Sequence, residues 1–401
     1  MYVDRLQLDE FRLYHTLSLP LPPAGLRLYG GNASGKTSLL EAIYLLATMR
    51  SPRASLEREM INWSSNVDYG LAPFARVAAR VVTLDGDHDL EVALTTEGAR
   101  GAGVRKRPKL DGRPRRALDL VGLLKVVLFS PEDLSLVLGS PVVRRRQLDI
   151  SISQIDPVYV RTLSRYTRLL AQRNTLLKDL QARGPLSPET IEGELAYWDS
   201  QIIVNGAYLV AARVRYVAGL REHAHRAFSN LSNDQASLDI SYVNSIDLAD
   251  GQVEQIRAME LDDAQRIVQR SFETAIRRRR QAELRRGVTL SGPHRDDIAF
   301  GIDGHDLAAY GSRGQQRLAV VATKLAELQQ VLTLAGDTPV LLLDDVLSEL
   351  DPIHRGRLVR LVADARCQLI ITATERELLD DPALRSLPLA EARAGAIDVA
   401  G

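Results

Sequence analysis

A single cysteine, Cys367, stands in a chain of 401 residues. Neither an internal disulfide nor a cysteine-based metal site can form, and this usage suits a reducing cytoplasm. Aromatic residues make up only 5%, too few for base stacking to be the primary way of holding single strands. An excess of one charge is missing as well, because 51 Lys and Arg face 51 Asp and Glu. A nucleic-acid binder with that balance must gather its cations locally. No apolar run is expected to reach the ~18 residues that cross a bilayer, which excludes a transmembrane protein. Met1 leads into Tyr2-Val3-Asp4-Arg5 without a basic segment and an apolar stretch, so no secretory signal is expected. The whole chain, 45% hydrophobic and 25% charged, has the ordinary globular profile and length for one large domain or two.

Leu6 and Leu8, then Leu17, Leu19 and Leu21, alternate as strands do across residues 1–30. A short segment, Leu26-Arg27-Leu28-Tyr29, runs into Gly30-Gly31. From Lys36 to about Met49 the apolar spacing is helical, and Ser51-Pro52 stops it. Hairpins are expected over residues 74–95, turning at Asp85-Gly86, and again around Asp111-Gly112. The second holds Arg100, Arg105, Lys106, Arg107, Lys109, Arg113, Arg115 and Arg116 against Asp111 alone. It is either a solvated loop or a patch for phosphates.

Residues 141–228 read as helical. Leu163, Tyr166, Leu170, Leu177 and Leu180 share a stripe with Arg173 at the skipped position. Leu195, Trp198, Ile202, Asn205, Leu209, Ala212 and Tyr216 step by three and four, as a packing seam does. The breakers between Arg183 and Pro188 predict an antiparallel helical arm or bundle. Strands are expected again at 238–242 and at Val288-Thr289-Leu290, and a last strand–helix series from Tyr310. The helical stretch then reads as an insertion. Residues 1–140 and 236–401 would form an α/β head, and 141–235 a helical lobe.

Gly30-Gly31-Asn32-Ala33-Ser34-Gly35-Lys36-Thr37 matches the P-loop pattern in full and sits between a strand and a helix. Its backbone N–H groups and the helix N-terminus suit a phosphate. Lys36 would neutralise the β- and γ-phosphates, and the Thr37 hydroxyl would ligate Mg²⁺. In Val340-Leu341-Leu342-Leu343-Asp344-Asp345 an acidic pair ends a buried strand. Asp344 would hold the metal through its water shell, and Asp345 would orient or deprotonate a water. No Asn-Lys-x-Asp guanine-reading motif occurs, so ATP is the expected nucleotide. Ser312-Arg313-Gly314-Gln315-Gln316-Arg317, opening a helix, reads as the signature segment of an ABC-type ATPase head.

With these, Phe129-Ser130-Pro131-Glu132-Asp133-Leu134, Arg144-Arg145-Arg146, Gln172-Arg173-Asn174, Ser291-Gly292-Pro293-His294-Arg295-Asp296-Asp297 and Ser348-Glu349-Leu350-Asp351 make the chain resemble the RecF family of bacterial recombination mediators, from Phe11 to Thr374. The resemblance implies an ABC-type P-loop head with a helical second lobe, related to the SMC ATPases. It implies a homodimer formed on ATP, in which Ser312, Gly314 and Gln315 of one subunit act on nucleotide held by the other. Asp351 matches the family's D-loop at the dimer interface, and Arg12 resembles an N-terminal arginine that approaches phosphate. Asp345 replaces the usual Glu, which implies slow turnover. Thr372-Ala373-Thr374 stands where transporters place a switch His.

Further implications are binding to single- and double-stranded DNA at gaps or stalled forks, cooperation with RecR and through it RecO to load the recombinase, and support of the SOS response. Arg277-Arg278-Arg279-Arg280 and Arg285-Arg286 would add phosphate contacts, or else form a solvated helix face paired with Glu273 and Glu283. His294 is expected to hold its loop in place rather than to catalyse. The alternatives are an ATPase subunit of a membrane transporter and an SMC-like scaffold. The long helical insertion and missing switch His oppose the first, and the shortness of that insertion opposes the second.

Overall fold

Four consecutive apolar residues, Val340 to Leu343, leave no polar side for water, and the strand they form is buried along its whole length. This strand, β12 (Val340–Asp344), pairs in parallel with β13 (Leu369–Ala373) and with β8 (Val126–Phe129). Beyond β13 lie β3 (Gly25–Tyr29) and β14 (Leu389–Arg393), both parallel, and β15 (Ala396–Val399) closes the edge antiparallel. The order is β15-β14-β3-β13-β12-β8. Helix α1 (Lys36–Thr48) lies against β8, β12 and β13, with Leu39, Leu40, Ile43, Leu46 and Ala47 buried as their spacing predicts. Helix α10 (Arg313–Ala335) packs on β8, and α11 (Pro352–Asp364) connects β12 to β13.

A second sheet is antiparallel, in the order β2-β1-β4-β5-β6-β7. It is built from β1 (Tyr2–Phe11), β2 (Tyr14–Pro20), β4 (Phe74–Thr83), β5 (Gly86–Glu97), β6 (Gly103–Leu110) and β7 (Arg113–Pro114). Both expected hairpins are present. Asp111 (φ 50°) and Gly112 (φ 74°) are both left-handed, the two-residue turn whose twist matches its strands. The short α2 (Ala117–Leu120) follows.

This computed structural model describes residues 1–65, 72–97, 103–232 and 236–399; Arg100 of the basic segment lies outside them. Both sheets belong to one unit, Met1–Leu134, Arg226–Ala236 and Arg313–Gly401. The other unit is Ser135–His225 and Ser237–Ser312. It contains α3 (Ser135–Leu138), α4 (Pro141–Ile155), α5 (Pro157–Ala182), α6 (Pro188–Leu231) as far as His225, α7 (Asp250–Ala258), α8 (Leu261–Arg286) and α9 (Leu307–Tyr310). Its small antiparallel sheet runs β11-β10-β9, formed by β9 (Leu238–Val243), β10 (Asp297–Ile302) and β11 (His305–Asp306). The helical run breaks at Asp156, whose side chain caps α5 by accepting from Val158 and Tyr159 N–H.

Three expectations are corrected. Residues 237–312 do not belong to the head but to the helical unit. The reason is α8: Ala264, Val268, Phe272, Ala275 and Ile276 form a buried stripe, and the helix packs on α5 and α7. Second, Val288-Thr289-Leu290 is not a strand, because side chains take its backbone groups. Thr289 N–H donates to Asn174 Oδ1 (2.8 Å), Leu290 N–H donates to Glu283 Oε1 (2.9 Å), and the Thr289 carbonyl accepts from His294 and Arg295. Third, among the described residues α10 is long and apolar enough to cross a membrane by length and composition; 72% of that stretch is buried inside the structure, where it serves the core.

Candidate nucleotide site

The loop Gly30–Thr37 joins β3 to α1 and is shaped by two close approaches. At Gly35 (φ 110°) a Cβ would lie 2.7 Å from the Tyr14 hydroxyl, which donates to the Gly35 carbonyl at 3.0 Å. At Gly30 a Cβ would lie 2.4 Å from the Ala392 carbonyl oxygen. Only glycine fits either place. Gly31, Asn32 and Ala33 form an exposed crown, while Ser34, Gly35 and Lys36 are buried beneath it. Lys36 Nζ donates to the carbonyls of Gly30 (2.6 Å) and Gly31 (2.8 Å). Burial pulls its pKa below the ordinary lysine value, while Asp345 and then Asp344 act in the opposite direction. The first turn of α1 carries no acid, so its N–H groups and dipole are left to an anion.

The parallel sheet brings the acidic pair to this loop. Asp344 Oδ1 accepts from Thr37 Oγ1 at 3.0 Å, across 307 residues of sequence, and from Thr372 Oγ1 at 2.9 Å. Burial raises the Asp344 pKa above the usual carboxylate value, and the two hydroxyls pull it back. Asp345 adopts φ 51° and donates its N–H to the Thr372 carbonyl at 3.2 Å. Its Oδ1 is buried and has no hydrogen-bond partner among the described residues. A buried carboxylate oxygen left without a donor is costly in a finished core. A cradle of backbone N–H groups, an ammonium, a hydroxyl–carboxylate pair and an orphaned carboxylate oxygen together fit a magnesium triphosphate. Thr372 is the member that sequence reasoning left without a role; the signal was a polar residue ending a buried strand beside the acidic one.

Other expected site residues lie elsewhere. Arg12 (φ 55°) is clamped to Glu41 of α1 by two bonds of 2.8 Å, and Glu41 also accepts from the Ser51 hydroxyl. Ser312, Arg313 and Gly314 are exposed and Gln315 is half-buried; the boundary between units falls after Ser312. Arg317, one turn into α10, pairs with Glu349 at 2.7 Å. Asp351 is exposed, caps α11 and bonds His354 Nδ1, a contact that lowers its pKa.

In the basic segments, Lys106 pairs with Glu57, Lys109 with Glu91, Arg105 and Arg107 with Glu97, and Arg116 with Asp119. Arg113 and Arg115 are exposed and make no ion pair among the described residues. In α8, Arg277 reaches Glu273 at 3.9 Å, Arg278 and Arg279 share Asp247, and Arg280 takes Asp199. Glu283, expected as a partner of this run, is instead fully buried against Arg173 at 2.7 Å.

The family model for the RecF/RecN/SMC N terminal domain matches residues 2–386. The DNA replication and repair protein RecF of Thermomicrobium roseum is 49% identical over 389 residues, 97% of each chain. A solved structure of the recombination mediator protein RecF with ATP, in the RecFOR pathway, superimposes with a TM-score of 0.82 at 28% identity, covering 100% of this chain and 99% of that one. An Smc head domain from Pyrococcus furiosus matches at a TM-score of 0.53 and 16% identity, over 100% and 96% of the two chains, a likeness of fold alone.

Proposed function

We propose, for a chain that belongs to the RecF family, that it is an ATP-switched DNA-binding protein of recombinational repair and replication. It acts in the cytoplasm and is a weak, DNA-dependent ATPase. The observation that carries this reading is the junction of Lys36, Thr37, Asp344 and the orphaned Asp345 oxygen at the end of one parallel sheet. Residues 30–37 would hold the phosphates, with Lys36 as their counter-charge. Thr37 and Asp344 would hold the magnesium, which when bound neutralises triphosphate charge. Asp345 would orient a water and accept its proton; its side chain is shorter than Glu, so turnover is slow. Thr372 fixes Asp344 in place. Arg12 would reach phosphate only by leaving Glu41, so its share is to hold the first turns of α1.

In the dimer, Ser312, Gly314 and Gln315 of one copy complete the phosphate site of the other, with Asp351 at the interface. Each nucleotide then bonds both copies, and ATP shifts the monomer–dimer equilibrium. The pair would clamp single- or double-stranded DNA at gaps and stalled forks, through exposed cations such as Arg113 and Arg115. RecR, and RecO through it, would join to load the recombinase and support the SOS response. Light scattering tests the core of this scheme. The mass should double with ATP and not with ADP, and Ser312→Arg should remain a monomer while still binding ATP. An unchanged mass of the unaltered protein with ATP refutes the switch.

A further inference from the structure

One cation of strand β6 faces inward. The alternation of the strand places Val104, Lys106, Pro108 and Leu110 on one face and Arg105, Arg107 and Lys109 on the other. The second set meets Glu97 and Glu91 at the surface. On the first face Pro108 is buried and Lys106 is only 16% exposed, where an unpaired ammonium would be costly. Its partners account for the position. Nζ donates to the Met49 carbonyl at 2.7 Å and pairs with Glu57 at 2.6 Å. Met49 is the C-cap of α1 (φ 57°), and the last turn of α1 has no basic residue of its own. Carbonyls at a helix end lack partners within the helix and carry the negative end of its dipole. Lys106 supplies the missing cation from a different strand.

Helix α1 begins at Lys36, so one rigid element carries the P-loop at its first turn and the grip of Lys106 at its last, about 20 Å apart for 13 residues. The link outward from Lys106 is short as well. Strand β6 pairs with β7 at Lys109–Pro114 and Leu110–Arg113, and the Arg115 N–H donates to the Pro108 carbonyl at 3.0 Å. The exposed Arg113 and Arg115 are thereby fastened to the strand that carries Lys106. We propose that Lys106 is the positioning residue through which DNA held at the β6–β7 turn controls turnover at the P-loop. DNA that fixes β6 also fixes the C-terminal end of α1, and the helix passes the shift to Lys36 and Thr37, opposite Asp344 and Asp345. Turnover is sensitive to small displacements there, because the reacting groups must meet in line. The inference rests on the DNA-dependent ATPase reading given above and names how that site is regulated.

Its test measures phosphate release from saturating ATP by the full chain, with and without a gapped duplex. Anisotropy gives the DNA affinity, and a circular dichroism melt checks folding. Lys106→Met keeps the aliphatic stem and removes the charge. It should bring the ratio of the two rates down toward one, while DNA affinity stays that of the unaltered protein. Lys106→Arg can still donate to Met49 and Glu57 and should restore most of the ratio. If Lys106→Met melts early, Glu57→Gln replaces it and should lower the ratio in the same direction. A residue that only caps α1 would lower turnover equally with and without DNA, and that result overturns the proposal. An unchanged ratio in a folded variant overturns it too, as does a loss of DNA affinity, which would make Lys106 a DNA contact. If DNA fails to stimulate the unaltered protein, the DNA-dependent reading itself falls, and the coupling with it.

Discussion

His294 shows how a single side chain can be committed to structure. Its Nε2 lies 3.2 Å from the Thr289 carbonyl, which can only accept, so that nitrogen carries the proton. Nδ1 then accepts from the Tyr166 hydroxyl at 2.8 Å. Burial pulls the pKa from 6.5 down to about 4. The folded chain therefore refuses a proton that the unfolded chain accepts. The neutral ring's contribution to stability is complete above pH 6.5, falls as pH drops, and levels off below pH 4. The loss amounts to about 3 kcal/mol at most. Urea titrations from pH 7 to pH 4 should show this decline, and His294→Gln should flatten it. A decline of equal size in the variant would assign the acid sensitivity to other groups.

At the scale of elements, α5, α6 and α8 are joined by charges inside their seam. Arg173 and Glu283 are both fully buried, and Asp199 and Thr289 take the remaining donors of Arg173. The seam stripe of α5 is present, and the position that interrupts it is occupied by a paired guanidinium. Breaking such a pair leaves a bare charge in the core, which costs about 3–5 kcal/mol. Arg173→Met should lower unfolding free energy by that amount in urea. The double variant Arg173→Met with Glu283→Gln should regain part of it, because the stranded carboxylate is gone. No recovery in the double variant would mean that Asp199, not Glu283, is the partner that matters.

For the whole molecule, zero net charge makes DNA binding a matter of a few local cations. Most arginines in the basic segments are already paired, which leaves Arg113 and Arg115 of the hairpin, and Arg285 and Arg286 at the end of α8, exposed and without an ion pair among the described residues. Anisotropy on a gapped duplex with ATP should fall steeply with salt. Replacing Arg113 and Arg115 with Gln should lower the log–log slope by about two, near one per lost phosphate contact. A slope that does not change would move the contact elsewhere on the surface.

The amino-acid order alone determined the glycine loop between β3 and α1, the acidic strand, the hairpins and the helical stripes. Each is local: a loop that needs glycine at set places, or a face repeated at a fixed period. The buried stripe of α8 escaped because it is spread through a segment crowded with arginine. The segment at 288–290 has strand-like residues, but Asn174 and Glu283, far away in sequence, claim its N–H groups. Only tertiary structure could decide which unit residues 237–312 join, that Thr372 steadies Asp344, and that the last hairpin rests on Ser34. Those outcomes depend on which distant groups meet across the sheet and which buried charges find partners, and no local pattern carries that information.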